Sequence, residues 1–166
     1  MGAGILPVAI HNNNLYFLLS RENTYEKCKH SGQWSDFGGK SEKKEKHIQT
    51  ALREGWEESM GFLGDKNDIK HLLKNNVLKK ISTNKYHCYV VLIKYDSTLP
   101  KRFREHWIKQ YKKDPEYILE ENGFYEKDML KWIRLDKLHI YLKKSNFFRH
   151  WYKKIIKEVI SNFSIN

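Results

Sequence analysis

The sequence predicts a single α/β domain covering residues 1–166. Short apolar runs rich in β-branched and aromatic residues have the composition of strands, and longer segments have the three- and four-residue spacing of amphipathic helices. A chain of 166 residues, 40% hydrophobic and 14% aromatic, is long and apolar enough to bury a core. We therefore expect a globular fold that combines strands with helices.

Strands are predicted first from the apolar runs. They cover 4–10, 15–20, 77–83, 86–95 and 129–135. The Asn-rich break at 11–14 predicts a hairpin between the first two runs, and Asn84–Lys85 is the expected turn of a second hairpin. Pro7 indicates that the first strand lies at an edge or carries a bulge. The continuous apolar run 89–93 predicts a strand buried on both faces.

Helices are predicted at three places. In the first, residues 48–55 carry a small apolar stripe, and Gly61 is placed to end the helix in the left-handed conformation. The second covers 101–113 and is strongly basic. The third covers 146–163, with Phe147, Trp151, Ile155, Val159 and Phe163 on one side and lysines opposite. Its apolar side favours packing on the sheet over binding to a membrane surface.

The composition argues against several classes of protein. No stretch approaches the roughly eighteen consecutive apolar residues that a membrane-spanning helix needs. The first residues have neither a signal-peptide core nor the pattern for myristoylation. Cys28 and Cys88 lack the spacing of a metal site and are typical of reduced thiols. We expect a cytoplasmic or otherwise intracellular protein with no membrane partner.

The net charge of +11, with a pI near 9.5, favours a polyanionic partner. RNA and a densely phosphorylated small molecule both meet this requirement. The alternative is a Lys- and Asn-rich coding bias, because both residues are spread over the whole chain. Charge alone does not choose between these explanations.

Glu54, Glu57 and Glu58 stand at i, i+3 and i+4 of the first predicted helix, so their side chains share one face. Carboxylates that are crowded together repel one another unless a positive charge lies among them. A hard divalent cation is a suitable partner, since magnesium and manganese prefer oxygen ligands. The alternative is a solvated acidic face, which is common on surface helices.

The residues around these glutamates resemble the Nudix box, G-x5-E-x7-R-E-U-x-E-E-x-G-U, where U is a bulky aliphatic residue. The matching residues are Gly39, Glu45, Arg53, Glu54, Glu57 and Glu58, followed by Gly61 and Phe62. Gly55 departs from the pattern, because it stands where the family has an aliphatic residue. Its position in a helix costs about 1 kcal/mol relative to alanine, so we expect it to mark close packing against a neighbouring backbone.

The resemblance implies an α/β/α sandwich with a mixed central sheet and a metal-dependent Nudix pyrophosphohydrolase. Within this domain, the residue pattern predicts a basic helical insertion at 100–113 and a C-terminal packing helix at 146–163. The implied cofactor is Mg²⁺ or Mn²⁺, held by Glu54, Glu57 and Glu58 together with a backbone carbonyl of Gly38 or Gly39. Gly38, Glu45 and Gly61 are implied to have structural roles.

The resemblance leaves the general base open. Glu54 is the candidate on the helix, and Glu126, Glu121 and Glu120 are the candidates in a later loop. Arg53 is implied to form an ion pair with Glu45 that positions the neighbouring ligands.

Substrate contacts are predicted from the remaining basic residues. Arg21 and Lys40 are candidates for contact with phosphate, although each is equally compatible with an ordinary surface charge. Lys101, Arg102 and Arg104 of the basic segment are candidates for contact with phosphate or RNA, and a solvated helix face is the alternative.

Capped mRNA is the favoured substrate, because aromatic rings can stack on bases and lysines can follow phosphates. The run 34–40 and the composition are also similar to Nudix proteins of large DNA viruses, some of which remove mRNA caps. Dinucleoside polyphosphates, diphosphoinositol polyphosphates and nucleoside triphosphates are the alternatives. A catalytically inactive Nudix-fold module that binds RNA or nucleotides is the alternative class, and a homodimer is a possible assembly.

Overall fold

The computed structural model describes residues 1–25, 30–119 and 123–164. The strands are β1 (Gly2–His11), β2 (Asn14–Glu22), β3 (Trp34–Ser35), β4 (Phe37–Lys40), β5 (Val77–Ser82), β6 (Tyr86–Leu92) and β7 (Lys127–Arg134). The helices are α1 (His47–Glu58), α2 (Lys66–Asn75), α3 (Leu99–Lys113), α4 (Pro115–Leu119), α5 (Leu138–Lys143) and α6 (Tyr152–Phe163). No helix in this part of the chain is long and apolar enough to cross a membrane.

The strands form one mixed sheet in the order β3-β2-β1-β6-β5, in which β4 also pairs with β1 and β7 also pairs with β2. Strands β1 and β6 are parallel, and the other pairs are antiparallel. Asn12 and Asn13 both have positive φ, as a tight two-residue hairpin turn requires, so the predicted β1–β2 hairpin is confirmed.

Helices cover both faces of the sheet, which confirms the predicted α/β class with a mixed central sheet. On one face, α1 and α2 pack over Ile5 and Val91, and on the other face α6 packs over Leu6 and Val90. Along both β1 and β6, successive residues therefore point to opposite faces of the sheet and belong to different core layers. Strand β6, which contains most of the run 89–93, is buried on both faces, as the continuous apolar run predicts.

Strand β1 lies inside the sheet, which corrects the prediction from Pro7. Antiparallel pairing with β4 ends at Ile5, and antiparallel pairing with β2 begins at Val8. Pro7 lies in the gap between these two ladders, where a residue without an N–H is tolerated.

The C-terminal helix is shorter than predicted. It begins at Tyr152, whereas the prediction began at 146. The residues before the helix run alongside β3 instead. The N–H of Trp34 donates to the carbonyl of Phe147 at 2.7 Å, and Trp34 forms an isolated bridge with Phe148. Trp151 consequently lies outside the helix and is 38% exposed, although its spacing predicts a packed side chain.

Candidate active site

The glutamates of α1 pack directly against the glycine pair of β4. A Cβ atom added to Gly39 would lie 2.5 to 2.8 Å from the carboxyl atoms of Glu54, so any larger residue there would displace that carboxyl group. The N–H of Gly38 donates to Oε2 of Glu58 at 2.5 Å. Helix α1 and strand β4 therefore form one unit in which backbone and carboxylates meet.

Arg53 connects this unit to the loop before the helix. Its Nε and Nη2 atoms each donate to a carboxylate oxygen of Glu45 at 3.1 Å, so the expected ion pair is present. Its Nη2 atom also donates to the carbonyl of Lys40 at 3.1 Å. Its Nη1 atom lies 2.9 Å from Glu54 and 3.1 Å from Glu57. One guanidinium therefore holds the loop, the end of β4 and two helix carboxylates together.

Lys127 places a second cation beneath the glutamates. Its side chain is fully buried, and its Nζ atom lies 3.2 Å from Oε1 of Glu58. The same ammonium also contacts Glu22, which accepts a further hydrogen bond from Arg149 at 2.7 Å. Burial raises the pKa of Glu58 well above its usual value, and Lys127 opposes that rise. Both oxygens of Glu58 are thus occupied by protein donors.

The sequence gives no signal for this buried ion cluster of Glu22, Glu58, Lys127 and Arg149. Glu22 and Lys127 meet because they are paired in the ladder between β2 and β7. Arg149 reaches Glu22 from the segment that lies alongside β3 and precedes α6. The cluster depends on strand register and on distant segments of the chain, which local residue spacing does not reveal.

The loop before β7 brings Glu126 to the box. Burial raises the pKa of Glu54 to about 7, and the charges of Glu126 and Glu57 add to this rise against the opposing effect of Arg53. Burial likewise raises the pKa of Glu126. In the same loop, a Cβ atom added to Gly123 would lie 2.9 Å from Oε2 of Glu57. Of the predicted general bases, Glu54 and Glu126 share one region.

The other candidates for the general base, Glu120 and Glu121, lie outside the described residues. Cys28 does so as well, whereas Cys88 is a buried free cysteine.

The carboxylates fit a hard divalent cation in donor type, since all are oxygen ligands crowded in a partly desolvated region. Their present arrangement is different: within 1–25, 30–119 and 123–164, no group of three His, Cys, Asp or Glu residues is placed to hold a metal ion. Arg53 and Lys127 lie against the carboxylates and supply the positive charge.

Two of the arginines predicted to contact the substrate, Arg21 and Arg104, bind a carboxylate of the protein instead. Arg21 forms a bidentate pair with the buried Asp128, at 2.8 and 3.0 Å. Arg104 donates to the backbone carbonyl of Asp128 at 3.0 Å and lies 3.3 Å from its carboxylate. These arginines hold β2 and α3 against β7, because a buried carboxylate requires paired donors.

The other basic residues of α3 are exposed. Arg102 pairs with Asp96 at 2.6 Å and lines a cavity of about 1130 Å³ whose lining includes none of the box glutamates. Lys101 is 3.8 Å from Glu105. Lys40 is different, since it borders a smaller cavity beside the glycine pair.

The end of α1 shows a second departure from the Nudix box. Two residues, Ser59 and Met60, separate Glu58 from Gly61, whereas the pattern has one. Met60 and Gly61 both adopt positive φ after the helix, and the N–H of Gly61 donates to the carbonyl of Trp56 at 3.2 Å. The extra residue is therefore placed beyond the helix, where it does not change the spacing of the glutamates.

No protein-family model matches the sequence, and no curated protein matches it either. Solved structures do match the fold. A Nudix hydrolase from M. Smegmatis, RenU, has 13% identity and a TM-score of 0.51, and the match covers 98% of this chain and 86% of that chain. A C. elegans Ap4A hydrolase has 13% identity and a TM-score of 0.51, with 98% of each chain covered.

A third match is the NUDIX domain of Shewanella oneidensis NrtR complexed with ADP ribose. It has 14% identity and a TM-score of 0.52, and it covers 97% of this chain and 86% of that chain. The chain therefore has the Nudix fold. Its box glutamates lie on α1 beside the glycine pair of β4, as the resemblance in sequence implies.

Proposed function

We propose that this protein is a Nudix pyrophosphohydrolase that cleaves a phosphoanhydride bond in a nucleoside-diphosphate-linked substrate. The grouping of Glu54, Glu57 and Glu126, with Glu54 packed against the backbone of Gly39, supports the proposal most strongly. Burial and mutual repulsion raise the pKa of Glu54 to about 7, which indicates a region that favours added positive charge. A purely structural acidic face has no need of such desolvated carboxyls.

The proposed residues that hold Mg²⁺ or Mn²⁺ are Glu54, Glu57, Glu126 and the carbonyl of Gly39. Glu58 joins this set if the metal ion takes the place of Lys127. When bound, such an ion stabilises negative charge on the leaving phosphate and lowers the pKa of a bound water. The glycine pair lets the backbone approach closely, because a side chain at Gly39 would meet Glu54.

Glu54 is the proposed general base in the arrangement in which Glu57, Glu126 and the carbonyl of Gly39 hold the metal ion without it. A carboxylate that is not bound to the metal ion and has a pKa of about 7 can accept a proton from water near neutral pH while remaining largely ionised above it. Glu126 is the second candidate for the base, since it lies in the same region with a raised pKa. Arg53 acts as a positioning residue, because it joins Glu45, Glu54 and Glu57 through one guanidinium.

Capped mRNA is the favoured substrate within this proposal. The net charge of +11 suits an extended polyanion. The exposed basic side of α3, including Lys101, is available for contacts with RNA phosphates. Decapping would hydrolyse one anhydride of the cap bridge, so that the cap leaves as a nucleoside diphosphate and the RNA keeps a 5′-monophosphate.

A small nucleotide is the second candidate substrate, and the arginine contacts favour it. Arg21 and Arg104 are both bound to Asp128, and Arg102 is bound to Asp96, so three of the predicted phosphate contacts are already paired within the protein. The similar solved structures include a protein named for Ap4A and one complexed with ADP ribose. Both names describe a nucleoside diphosphate joined to another group.

Product analysis with purified protein tests the proposal. Wild type and Glu57→Gln are incubated with Mg²⁺ or Mn²⁺ and with cap-labelled RNA, diadenosine polyphosphates, a diphosphoinositol polyphosphate and nucleoside triphosphates. Release of m7GDP by wild type alone supports decapping. Cleavage of a small substrate with intact capped RNA supports the second candidate, and no metal-dependent cleavage of any of them overturns the hydrolase proposal.

A further inference from the structure

A cavity of about 470 Å³ borders the glycine pair near the start of β1. Gly38, Gly39 and Lys40 line part of it, and the turn before β6 lines another part. The glycine pair also contacts the glutamates, because Gly38 donates to Glu58 and Gly39 packs on Glu54. A ligand in the cavity would therefore lie next to the candidate active site.

The cavity is positively charged. Lys40, Lys85 and Arg149 line it, and none of its lining residues is acidic. Arg149 uses Nη2 to bind Glu22 at 2.7 Å, and its buried Nε atom has no hydrogen-bond partner among the described residues. These cations are suited to the phosphates of a ligand.

Trp151 gives the same cavity an aromatic surface. It is 38% exposed, and its ring centroid lies 4.6 Å from that of Tyr86. Tyr86 is itself fixed, since its buried hydroxyl donates to Oδ1 of Asp36 at 2.8 Å. Trp151 therefore rests on a rigid neighbour while part of its ring remains accessible. An accessible aromatic ring beside cations suits a planar base attached to phosphates.

We infer that this cavity binds the nucleoside diphosphate part of the substrate, with the base on Trp151 and the phosphates near Lys40 and Lys85. The inference rests on the proposed function, because it concerns the substrate of that site. It adds a binding surface from the segment before α6 and assigns Trp151 a role in binding. The shared ligand chemistry, a nucleoside diphosphate, can come from a free nucleotide or from the capped end of an RNA.

Equilibrium binding by calorimetry tests the inference without any need for turnover. The probes are α,β-methylene-ADP, which has a base and no cleavable anhydride between its phosphorus atoms, and methylenediphosphonate, which has no base. Trp151→Ala should weaken binding of α,β-methylene-ADP by roughly 5- to 150-fold, the range expected when a stacked aromatic ring is removed. Binding of methylenediphosphonate should change less than about twofold, because stacking contributes only to the base.

Matched variants complete the test. Trp151→Phe should restore most of the affinity, and Lys85→Ala should weaken both probes. Unchanged binding of α,β-methylene-ADP by Trp151→Ala overturns the inference. A methylene-bridged cap analogue measured in parallel distinguishes the two sources: tighter binding than α,β-methylene-ADP, lost in Trp151→Ala, supports an RNA end, and weaker binding supports a free nucleotide.

The outcome is separable from that of the proposed function. If wild type cleaves no substrate while Trp151→Ala still loses affinity for α,β-methylene-ADP, the hydrolase proposal fails and the binding site stands. If wild type cleaves a substrate and Trp151→Ala binds and cleaves it normally, the binding site fails and the hydrolase proposal stands.

Discussion

The Nζ atom of Lys127 lies 3.2 Å from Oε1 of Glu58, and both side chains are buried. This contact fixes the last glutamate of the box, Glu58, against β7, a strand that is far away in sequence. It couples the candidate active site to the folding of the sheet, because Lys127 also contacts Glu22 of β2, so removing its ammonium takes a cation away from two buried carboxylates.

Lys127→Met should therefore be strongly destabilising. Removing one partner of a buried ion pair costs about 3–5 kcal/mol, since an uncompensated charge remains in the interior. Urea unfolding measures the free energy of unfolding for wild type and variant. Lys131→Met on the exposed side of the same strand is the control, with an expected change within about 0.5 kcal/mol. Equal effects of the two substitutions would contradict the structural role of Lys127.

Glu54→Gln should be more stable than wild type in metal-free buffer at pH 8. Burial raises the pKa of Glu54 from 4.5 to about 7 in the folded protein. The contribution of the Glu54 carboxyl to stability is therefore fully present below pH 4.5, and it is lost as the pH rises through 7. The stability difference between variant and wild type should therefore vanish near pH 4.5. Thermal unfolding across this range tests it, with Glu158→Gln as the exposed control. A difference that does not depend on pH would contradict the assigned burial of Glu54.

Arg53→Lys should lower kcat by about tenfold or more, because a lysine cannot reproduce the several directed contacts of one guanidinium. The misplaced carboxylates should also weaken Mn²⁺ binding, which electron paramagnetic resonance measures without turnover. Lys43→Ala, a substitution of an exposed residue in the same loop, is the control. Full activity together with unchanged Mn²⁺ affinity in Arg53→Lys would show that these contacts do not position the site.

Gly39→Ala should abolish activity. The added methyl group would lie 2.5 to 2.8 Å from the carboxyl atoms of Glu54 and displace that side chain. At Gly55 an added methyl group would meet the terminal methyl of Ile5 at 2.6 Å, away from the carboxylates. Activity assays on folded Gly39→Ala and Gly55→Ala compare the two positions. Activity retained by Gly39→Ala, or lost equally by both variants, would contradict the close contact between Gly39 and Glu54.

The features that could be predicted from sequence are the ones set by local spacing. Helix α1 and the shared face of Glu54, Glu57 and Glu58 follow from the helical repeat, and the close packing expected at Gly55 is present against Ile5. The predicted neighbour there is a backbone, whereas the structure has a side chain. The distinction matters little for the site, because the spacing of the glutamates is unaffected.

The features that could not be predicted depend on distant segments. Pairing of β2 with β7 opposes Glu22 to Lys127, and no local pattern specifies that register. The segment before α6 runs alongside β3. This position brings Arg149 into contact with Glu22 and leaves Trp151 exposed. Helical periodicity predicted a packed Trp151 side chain, because it extended the helix back to residue 146. The pattern does not show that the segment before Tyr152 pairs with β3, so the start of the helix was misplaced.

The most direct test of the proposed function is metal-dependent turnover by wild type and Glu57→Gln over the nucleotide and RNA substrates described above. The account predicts that wild type cleaves at least one of them with Mg²⁺ or Mn²⁺, that EDTA stops the reaction, and that Glu57→Gln is inactive although folded. Turnover that persists in EDTA, or equal turnover by Glu57→Gln, would contradict the assignment of the α1 glutamates as the catalytic centre.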